Sequence, residues 1–376
     1  MKVIFACGGT AGHINPALSV AAALSVMDPY CDFLFIGAEG RMETDLVPRA
    51  GFPIKTIDIT NIHRSIRPME IAHNVNTLIK VVKSKGQAKK IIREFDADVV
   101  IGTGGYVCYP VLKAAAELGI PTAMHESNAI PGLTTRMLQN VVDIIMVGFD
   151  ECKSEYKNPE KVMVTGTPIR PEFFDNDRDS AKRLLGLDPN KPLVVSIWGS
   201  LGAANMNLII KNMMTRASAD PFFTIIHASG KVGYKKMLES LKRDVPNHDE
   251  IGLHVKDYIY DIPLVLAAAD LAICRAGSST LAELAALGKP AILVPSPNVT
   301  RNHQEPNARV LEKSGGAKVI LENEITADLL LGLVSELLHK PEKLEEMASK
   351  MSAVGVADSA NIIADAVVKL VKNKEK

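Results

Sequence analysis

The sequence predicts an α/β protein built of two doubly wound, parallel-sheet domains of Rossmann-like type that face one another across an interdomain cleft. Three observations carry the prediction. At 376 residues the chain exceeds what one ordinary core supports, so two domains of similar size are expected. Short apolar runs alternate with amphipathic segments along the whole length, the signature of buried strands separated by helices. Each half also opens on one device, a buried strand running through a glycine turn into a helix: KVIFACGGTAGHINPALSVAAAL at 2–24 and LVVSIWGSLGAANMNLIIKNM at 193–213.

Taken in order, KVIFA, DFLFIG, DVVIG, PTAMH and DIIMVG are the expected strands of the first half, and LVVSIW, FFTIIHA, DLAIC, PAILV and AKVIL those of the second. Prolines and a change of periodicity interrupt the pattern in TGTPIRPEFFD at 165–175, which sets the domains at 1–165 and 166–349. The stretch 350–376 has apolar residues at helical spacing and a lysine-rich end, and suits a helix that packs back on the first domain.

Composition narrows the function. Hydrophobic residues at 47% and charged residues at 23% fill two cores, while a formal net charge of zero lacks the basic footprint of a nucleic-acid binder. The five cysteines are odd in number and widely spaced, which suits a reducing compartment and suggests neither a disulfide framework nor a zinc site. MKVIFACGG is too short for a signal sequence, and no stretch reaches transmembrane length.

Residues 275–307 are the most informative. Gly277, Ser278, Ser279 and Thr280 open a helix whose first N–H groups and dipole attract phosphate, and Glu283, one turn on, suits the hydroxyls of a ribose. PAILVP reads as a buried strand, after which His303, Gln304 and Asn307 lie at the carboxyl end of a parallel sheet. GGTAGH at 8–13, GTGGY at 102–106 and GSLGA at 199–203 are further glycine turns, and none matches a dinucleotide fingerprint or a P-loop. Two turns in each half allow two phosphate-bearing ligands, one donor and one acceptor. An ordinary αβ unit with a polar loop remains the alternative for each.

GGTAGHINPALSVA, GTGGY, HESNAIPGLTTRML, GTPIR, GSLGA, RAGSSTLAEL and NHQEPNA follow one another in an order and spacing that resemble the MurG family, the N-acetylglucosaminyltransferases that convert lipid I to lipid II in bacterial peptidoglycan synthesis. The resemblance spans nearly the whole chain, and HESNAIPGLTTR and NHQEPNA discriminate it from other nucleotide-sugar transferases. It implies a GT-B fold, an inverting mechanism, UDP-GlcNAc as donor and an undecaprenyl-pyrophosphoryl-muramoyl pentapeptide as acceptor. By the same resemblance the donor meets Ile259 at uracil, Glu283 at ribose, Ser200, Arg170, Ser278, Ser279 and Thr280 at the diphosphate, and Gln304 and Asn128 at the sugar, with Thr10, Ala11 and Gly12 also near it. The acceptor pyrophosphate lies on Gly9, Thr10, Gly104 and Gly105, with His13 and Tyr106 beside it. His13 is the first candidate for general base, since imidazole suits proton transfer near neutral pH, and Glu126 is the alternative. Arg170 and the helix N-terminus stabilise the leaving diphosphate; no cofactor or metal is expected, since no Asp-x-Asp cluster appears where a metal-bound diphosphate needs it. Without the family, Arg170 and Glu283 suit a surface ion pair, Asn128 a turn residue and Tyr106 a core aromatic. Ala11, Leu201 and Ser127 depart from the family pattern, the last two where donor contacts are expected.

A membrane contact needs a local source. Between 60 and 95, Arg64, Arg67, Lys80, Lys83, Lys85, Lys89, Lys90 and Arg93 stand against Glu70 and Glu94 and interleave with Ile71, Val75, Leu78, Ile79, Val81 and Val82, a stripe suited to anionic lipid or to an ordinary solvated helix face. The implied location is the cytoplasmic face of the cell membrane, peripherally bound, with cell-wall synthesis proteins as partners. A UDP-GlcNAc 2-epimerase and a non-catalytic sugar-nucleotide binder are the rival readings.

Overall fold

The computed structural model describes residues 1–59, 68–199, 202–299 and 302–374. The chain forms two compact units, Met1–Arg170 with Ala357–Lys376, and Pro171–Val356. The first carries β1 (Lys2–Cys7), β2 (Asp32–Ala38), β3 (Ile54–Ile57), β4 (Val99–Gly104), β5 (Thr122–Glu126), β6 (Ile144–Val147) and β7 (Val162–Val164), in the order β3-β2-β1-β4-β5-β6-β7. The second carries β8 (Leu193–Ile197), β9 (Thr224–Ala228), β10 (Leu253–Lys256), β11 (Leu271–Cys274), β12 (Ala291–Leu293) and β13 (Ala317–Val319), in the order β10-β9-β8-β11-β12-β13. Strand pairs such as β1–β2, β1–β4, β8–β9 and β8–β11 are parallel, so helical crossovers cover both faces.

Strand alternation divides the core. Ile4 and Ala6 face one apolar cluster, whereas Val3, Phe5 and Cys7 face another that also holds Ile14, Val20, Ile363 and Val367. Those last two belong to the helix Ser359–Lys374, which packs on the helix Ala11–Met27. The five cysteines are free thiols.

Two sequence expectations need correction. The unit boundary falls after Arg170 and not at 165, because Thr165 N–H bonds Val147 O at 3.1 Å and His125 Nε2 bonds Gly166 O at 2.9 Å, which hold this segment to the first sheet. The stretch 350–376 is not one helix: Pro341–Val354 ends before Gly355, where a Cβ would lie 2.4 Å from Ala285 O, and the chain then starts afresh at Ser359. Close backbone approach demands glycine there, and the regular helix stops.

The basic stripe also changes once tertiary neighbours are counted. Lys80 pairs with Asp58 at 2.6 Å, Lys85 and Lys89 pair with Glu117 at 2.9 and 2.7 Å, and Lys90 pairs with Glu94 at 3.7 Å. Hydrogen bonds from Lys89 and Lys85 hold the Glu117 carboxyl down at about 2. Among the described residues no ion pair involves Lys83 or Arg93, which are exposed, as is Val82 next to Lys83. Arg64 and Arg67 lie outside the described residues.

Candidate active site

In each sheet the strand order reverses next to the first strand, between β1 and β4 and between β8 and β11. Crossovers leave in opposite directions at such a point and open a crevice at the carboxyl ends, where ligands of doubly wound folds bind. All four glycine turns leave from these strands.

In the first unit β4 slips register against β1, with Ala6 opposite Gly102 and Cys7 opposite Gly104. That irregularity aims the second turn at the first. Gly104 and Gly105 have φ of +122° and +90°, and a Cβ would lie 2.4 Å from His13 Cδ2 at Gly104 and 2.4 Å from Gly8 O at Gly105. Only glycine lets the turns touch.

Thr10 is the extended N-cap of the helix Ala11–Met27 and its side chain makes no cap bond. The N–H groups of Ala11 and Gly12 therefore have no partner among the described residues. His13 Nδ1 lies 3.0 Å from Gly8 O and 3.4 Å from Thr10 Oγ1. A carbonyl only accepts, so Nδ1 carries the proton and Nε2 keeps the ring's lone pair. Thr103 Oγ1 donates to His13 O at 2.7 Å and fixes the backbone behind the ring.

Glu43 escaped the sequence reading. Its carboxylate is 0% exposed and accepts from Gly9 N–H at 3.1 Å and Ala38 N–H at 2.9 Å, so it ties the first turn to β2. Gly9 was expected to offer its N–H to the acceptor, but that donor is already committed to Glu43. Gly9 instead faces Tyr106, whose Cε1 would be 3.8 Å from a Cβ there. The Tyr106 hydroxyl is out of solvent with no hydrogen-bond partner at good geometry among the described residues, and burial pushes its pKa up against the opposing charge of Arg41.

Glu126, the alternative base, has another task. It is 6% exposed, and it accepts from Asn128 N–H at 3.1 Å, Asn128 Nδ2 at 2.9 Å, Gly132 N–H at 2.9 Å and Thr135 Oγ1 at 2.6 Å. Both oxygens are occupied, so taking a substrate proton would break the loop they organise. The same bonds orient Asn128.

The second unit holds a cavity of about 500 Å³ lined by Trp198, Gly202, Arg275, Thr280, Gln304 and Glu322 among others. Two helices begin on its wall, Ala204–Ala217 and Ser278–Ala286, with N-caps Ala203 and Gly277 that offer no side-chain cap. Their first N–H groups, uncapped by side chains among the described residues, and their dipoles suit an anion. Arg275 adds a cation: it lies 5.3 Å from the Trp198 ring centroid, pairs with Glu322 at 2.6 Å and donates to Val294 O at 3.1 Å. Gln304 Oε1 accepts from Ser296 N–H at 2.9 Å, which leaves its amide nitrogen as the donor group on the cavity wall.

Of the expected donor residues, Thr280 and Gln304 line this cavity. Ser278 and Ser279 belong to the same helix start, and Ser279 Oγ is buried without a partner among the described residues. Half-buried Glu283 lies on that helix but off the cavity wall, as does buried Ile259 in the loop after β10. Asn307 is fully buried and bonds Ala276 O at 3.3 Å, which makes it a brace for the turn and not a surface contact. Arg170, Asn128, Thr10, Ala11 and Gly12 belong to the first unit, where Arg170 is exposed. Ser200 and Leu201 lie outside the described residues. Sequence reasoning missed Arg275, Trp198, Glu322 and Glu43 as site residues; only Arg275 and Trp198, each beside a glycine turn, carried a local signal.

Two doubly wound units, each with glycine turns and orphan helix N-termini at its switch point, define a two-domain nucleotide-sugar glycosyltransferase fold. Residues 3–147 match the glycosyltransferase family 28 N-terminal domain and residues 193–363 the glycosyltransferase family 28 C-terminal domain. A UDP-N-acetylglucosamine--N-acetylmuramyl-(pentapeptide) pyrophosphoryl-undecaprenol N-acetylglucosamine transferase of Acetivibrio thermocellus is 40% identical over 100% of this chain and 99% of its own length, and one of Ruminiclostridium cellulolyticum is 42% identical over 96% and 98%. The chain belongs to this transferase family, the MurG enzymes. The crystal structure of Acinetobacter baumannii MurG superposes with a TM-score of 0.77 at 27% identity, covering 98% of this chain and 99% of that one. A UDP-GlcNAc 2-epimerase of Neisseria meningitidis, with a TM-score of 0.64 at 14% identity over 98% and 100%, shares the fold alone.

Proposed function

We propose that this chain is an inverting glycosyltransferase that moves GlcNAc from UDP-GlcNAc to the 4-hydroxyl of the muramoyl sugar of an undecaprenyl-pyrophosphoryl pentapeptide acceptor, converting lipid I to lipid II. One observation carries the chemistry: the Gly8 carbonyl holds the proton on His13 Nδ1 and so presents Nε2 as a base, at a turn whose Ala11 and Gly12 N–H groups suit the acceptor's pyrophosphate. Nε2 takes the proton of the 4-hydroxyl as its oxygen forms the bond to the anomeric carbon. The bond from that carbon to the diphosphate breaks on the opposite face, and its electron pair leaves on UDP. The charge growing there is met by the two helix N-termini and Arg275 on the wall of the cavity in the second unit.

In this reading the first unit takes the acceptor, with Thr10, Gly104, Gly105 and Tyr106 around His13, and the second takes the donor, with Glu283 at the ribose, Ile259 at uracil and Gln304 at the sugar. Arg170 and Asn128 serve the diphosphate and the sugar, and Glu126 positions Asn128. A lipid-linked acceptor calls for peripheral membrane binding at the cytoplasmic face. Among the described residues no helix is long and apolar enough to cross a membrane, and exposed Val82, Lys83 and Arg93 support a surface contact.

Incubation with UDP-GlcNAc and a short-chain lipid I analogue tests the activity. The expected products are UDP and a β-linked disaccharide. UDP-ManNAc formed from the donor would make the chain an epimerase, and tight UDP binding with no turnover would make it a binding protein.

A further inference from the structure

The donor turn of the second unit is backed by a buried chain of neutral groups that none of the expected donor contacts uses. Ser196 on β8 and His227 on β9 are register partners on the face that carries Trp198 and Ser229 further along. Trp198 Nε1 donates to Ser196 Oγ at 2.8 Å, Ser196 Oγ lies 2.9 Å from His227 Nδ1, His227 Nε2 lies 3.1 Å from Asn207 Oδ1, and Asn207 Nδ2 donates to Ser229 O at 2.8 Å.

The ends fix the direction of every bond. An indole N–H only donates and a carbonyl only accepts, so the Asn207 amide must present its oxygen to His227. His227 Nε2 therefore bears the proton, Nδ1 accepts, and the Ser196 hydroxyl donates to it. Burial pushes the His227 pKa down to about 3, so the ring stays neutral in this role.

Both ends of the chain meet the glycine turn. Trp198 and Gly202 line the donor cavity, and a Cβ on Gly202 would lie 2.0 Å from Ser229 O, so the carbonyl held by Asn207 is the surface on which that turn rests. Asn207 itself sits in the first turn of the helix whose N-terminus faces the cavity.

We propose that His227 is a positioning residue for the donor site, joining the Trp198 wall to the Ser229 seat of the glycine turn through Ser196 and Asn207. This rests on the reading that the cavity takes UDP-GlcNAc. His227 touches no reacting atom; it fixes where the turn and the helix start present their N–H groups.

Trp198 is the sole tryptophan of the chain, so its emission reports on the wall directly. UDP titrated into wild-type protein is expected to change that emission and to saturate. His227→Gln keeps an N–H for Asn207 but no acceptor for Ser196, and Ser196→Ala removes the linking hydroxyl with little change of volume. Each is expected to shift the emission of the unliganded protein and to raise the Kd for UDP and the KM for UDP-GlcNAc about tenfold, with kcat changed by less than about threefold. Folded variants with wild-type emission and wild-type UDP affinity would overturn the proposal. So would loss of folding in both, which assigns the chain to stability alone. A wild-type protein that binds no UDP would instead remove the donor reading, whatever the variants do to Trp198.

Discussion

The glycine turns after β1 and β8 occupy equivalent places in their sheets but are held by opposite means. The first rests on the buried carboxylate of Glu43 and carries an imidazole, whereas the second rests on a neutral chain from Trp198 to Ser229 and carries no titrating side chain among the described residues. Under the proposed function the difference follows from what each turn must do. A turn that presents a base must fix a tautomer, which the Gly8 carbonyl does for His13. A turn that receives a diphosphate gains from orphan N–H groups and from the pairing of the nearby Glu322 carboxylate with Arg275, since an unpaired carboxylate in low dielectric would repel the ligand.

The largest expected effect is on stability and tests the charged support. Glu43→Ala leaves the Gly9 and Ala38 N–H groups without their acceptor, which is expected to cost about 3 kcal/mol in urea unfolding, while the affinity of the folded variant for UDP stays within about twofold of wild type. Loss of UDP binding would break the division of labour between the units. His13→Ala comes next: kcat is expected to fall by about 100-fold with UDP affinity nearly intact, and an equal loss of both would make His13 structural. On the donor side, Glu283→Ala is expected to weaken UDP binding by about 1.5–3 kcal/mol, measured by titration calorimetry.

Acid sharpens the comparison further. Burial lowers the folded-state pKa of His227 to about 3 and also lowers that of His125. As pH falls below about 6.5 the unfolded chain takes up protons that the folded chain refuses, so stability declines, by about 1.4 kcal/mol for His227 at pH 5.5. His227→Gln is expected to make the decline between pH 7 and 5.5 shallower by about 1 kcal/mol, and an unchanged slope would overturn the assignment of a neutral folded ring. The smallest effect belongs to the surface: Lys83→Glu with Arg93→Glu should weaken binding to anionic vesicles by about 1 kcal/mol per cation, whereas Lys85→Glu, already opposite Glu117, should matter less. Equal effects would restore the whole stripe as the lipid contact.

The strands that the sequence hid share a position, although one strand so placed, β13, was displayed. The ten apolar runs all became strands, while β3, β7 and β10, with sequences IKTI, VMV and LHVK, were not anticipated. All three are sheet edges, with one neighbour each, so they need no unbroken apolar run and tolerate lysine and threonine. Site residues divide the same way. Thr280 and Gln304 were legible because helix starts and strand ends leave local marks, whereas Glu43 and His227 work through partners tens of residues away, and a lone Glu in METDLVP or His in TIIHA announces nothing. The pairing of the basic stripe was hidden for that reason too: Asp58 and Glu117 meet Lys80, Lys85 and Lys89 from other elements.

The second unit interrupts the first, which begins at Met1 and is completed only by the helix Ser359–Lys374. Ile363 and Val367 share an apolar cluster with Val3 and Phe5, so the first strand of the unit is packed by residues far along the chain. The second unit, contiguous in sequence, can fold while the first still lacks the helix that completes this cluster. A chain truncated before Ile363 would keep the residues of its donor cavity yet lose the helix that completes the cluster around Val3 and Phe5, so the acceptor turns, and not the donor cavity, would lose their support.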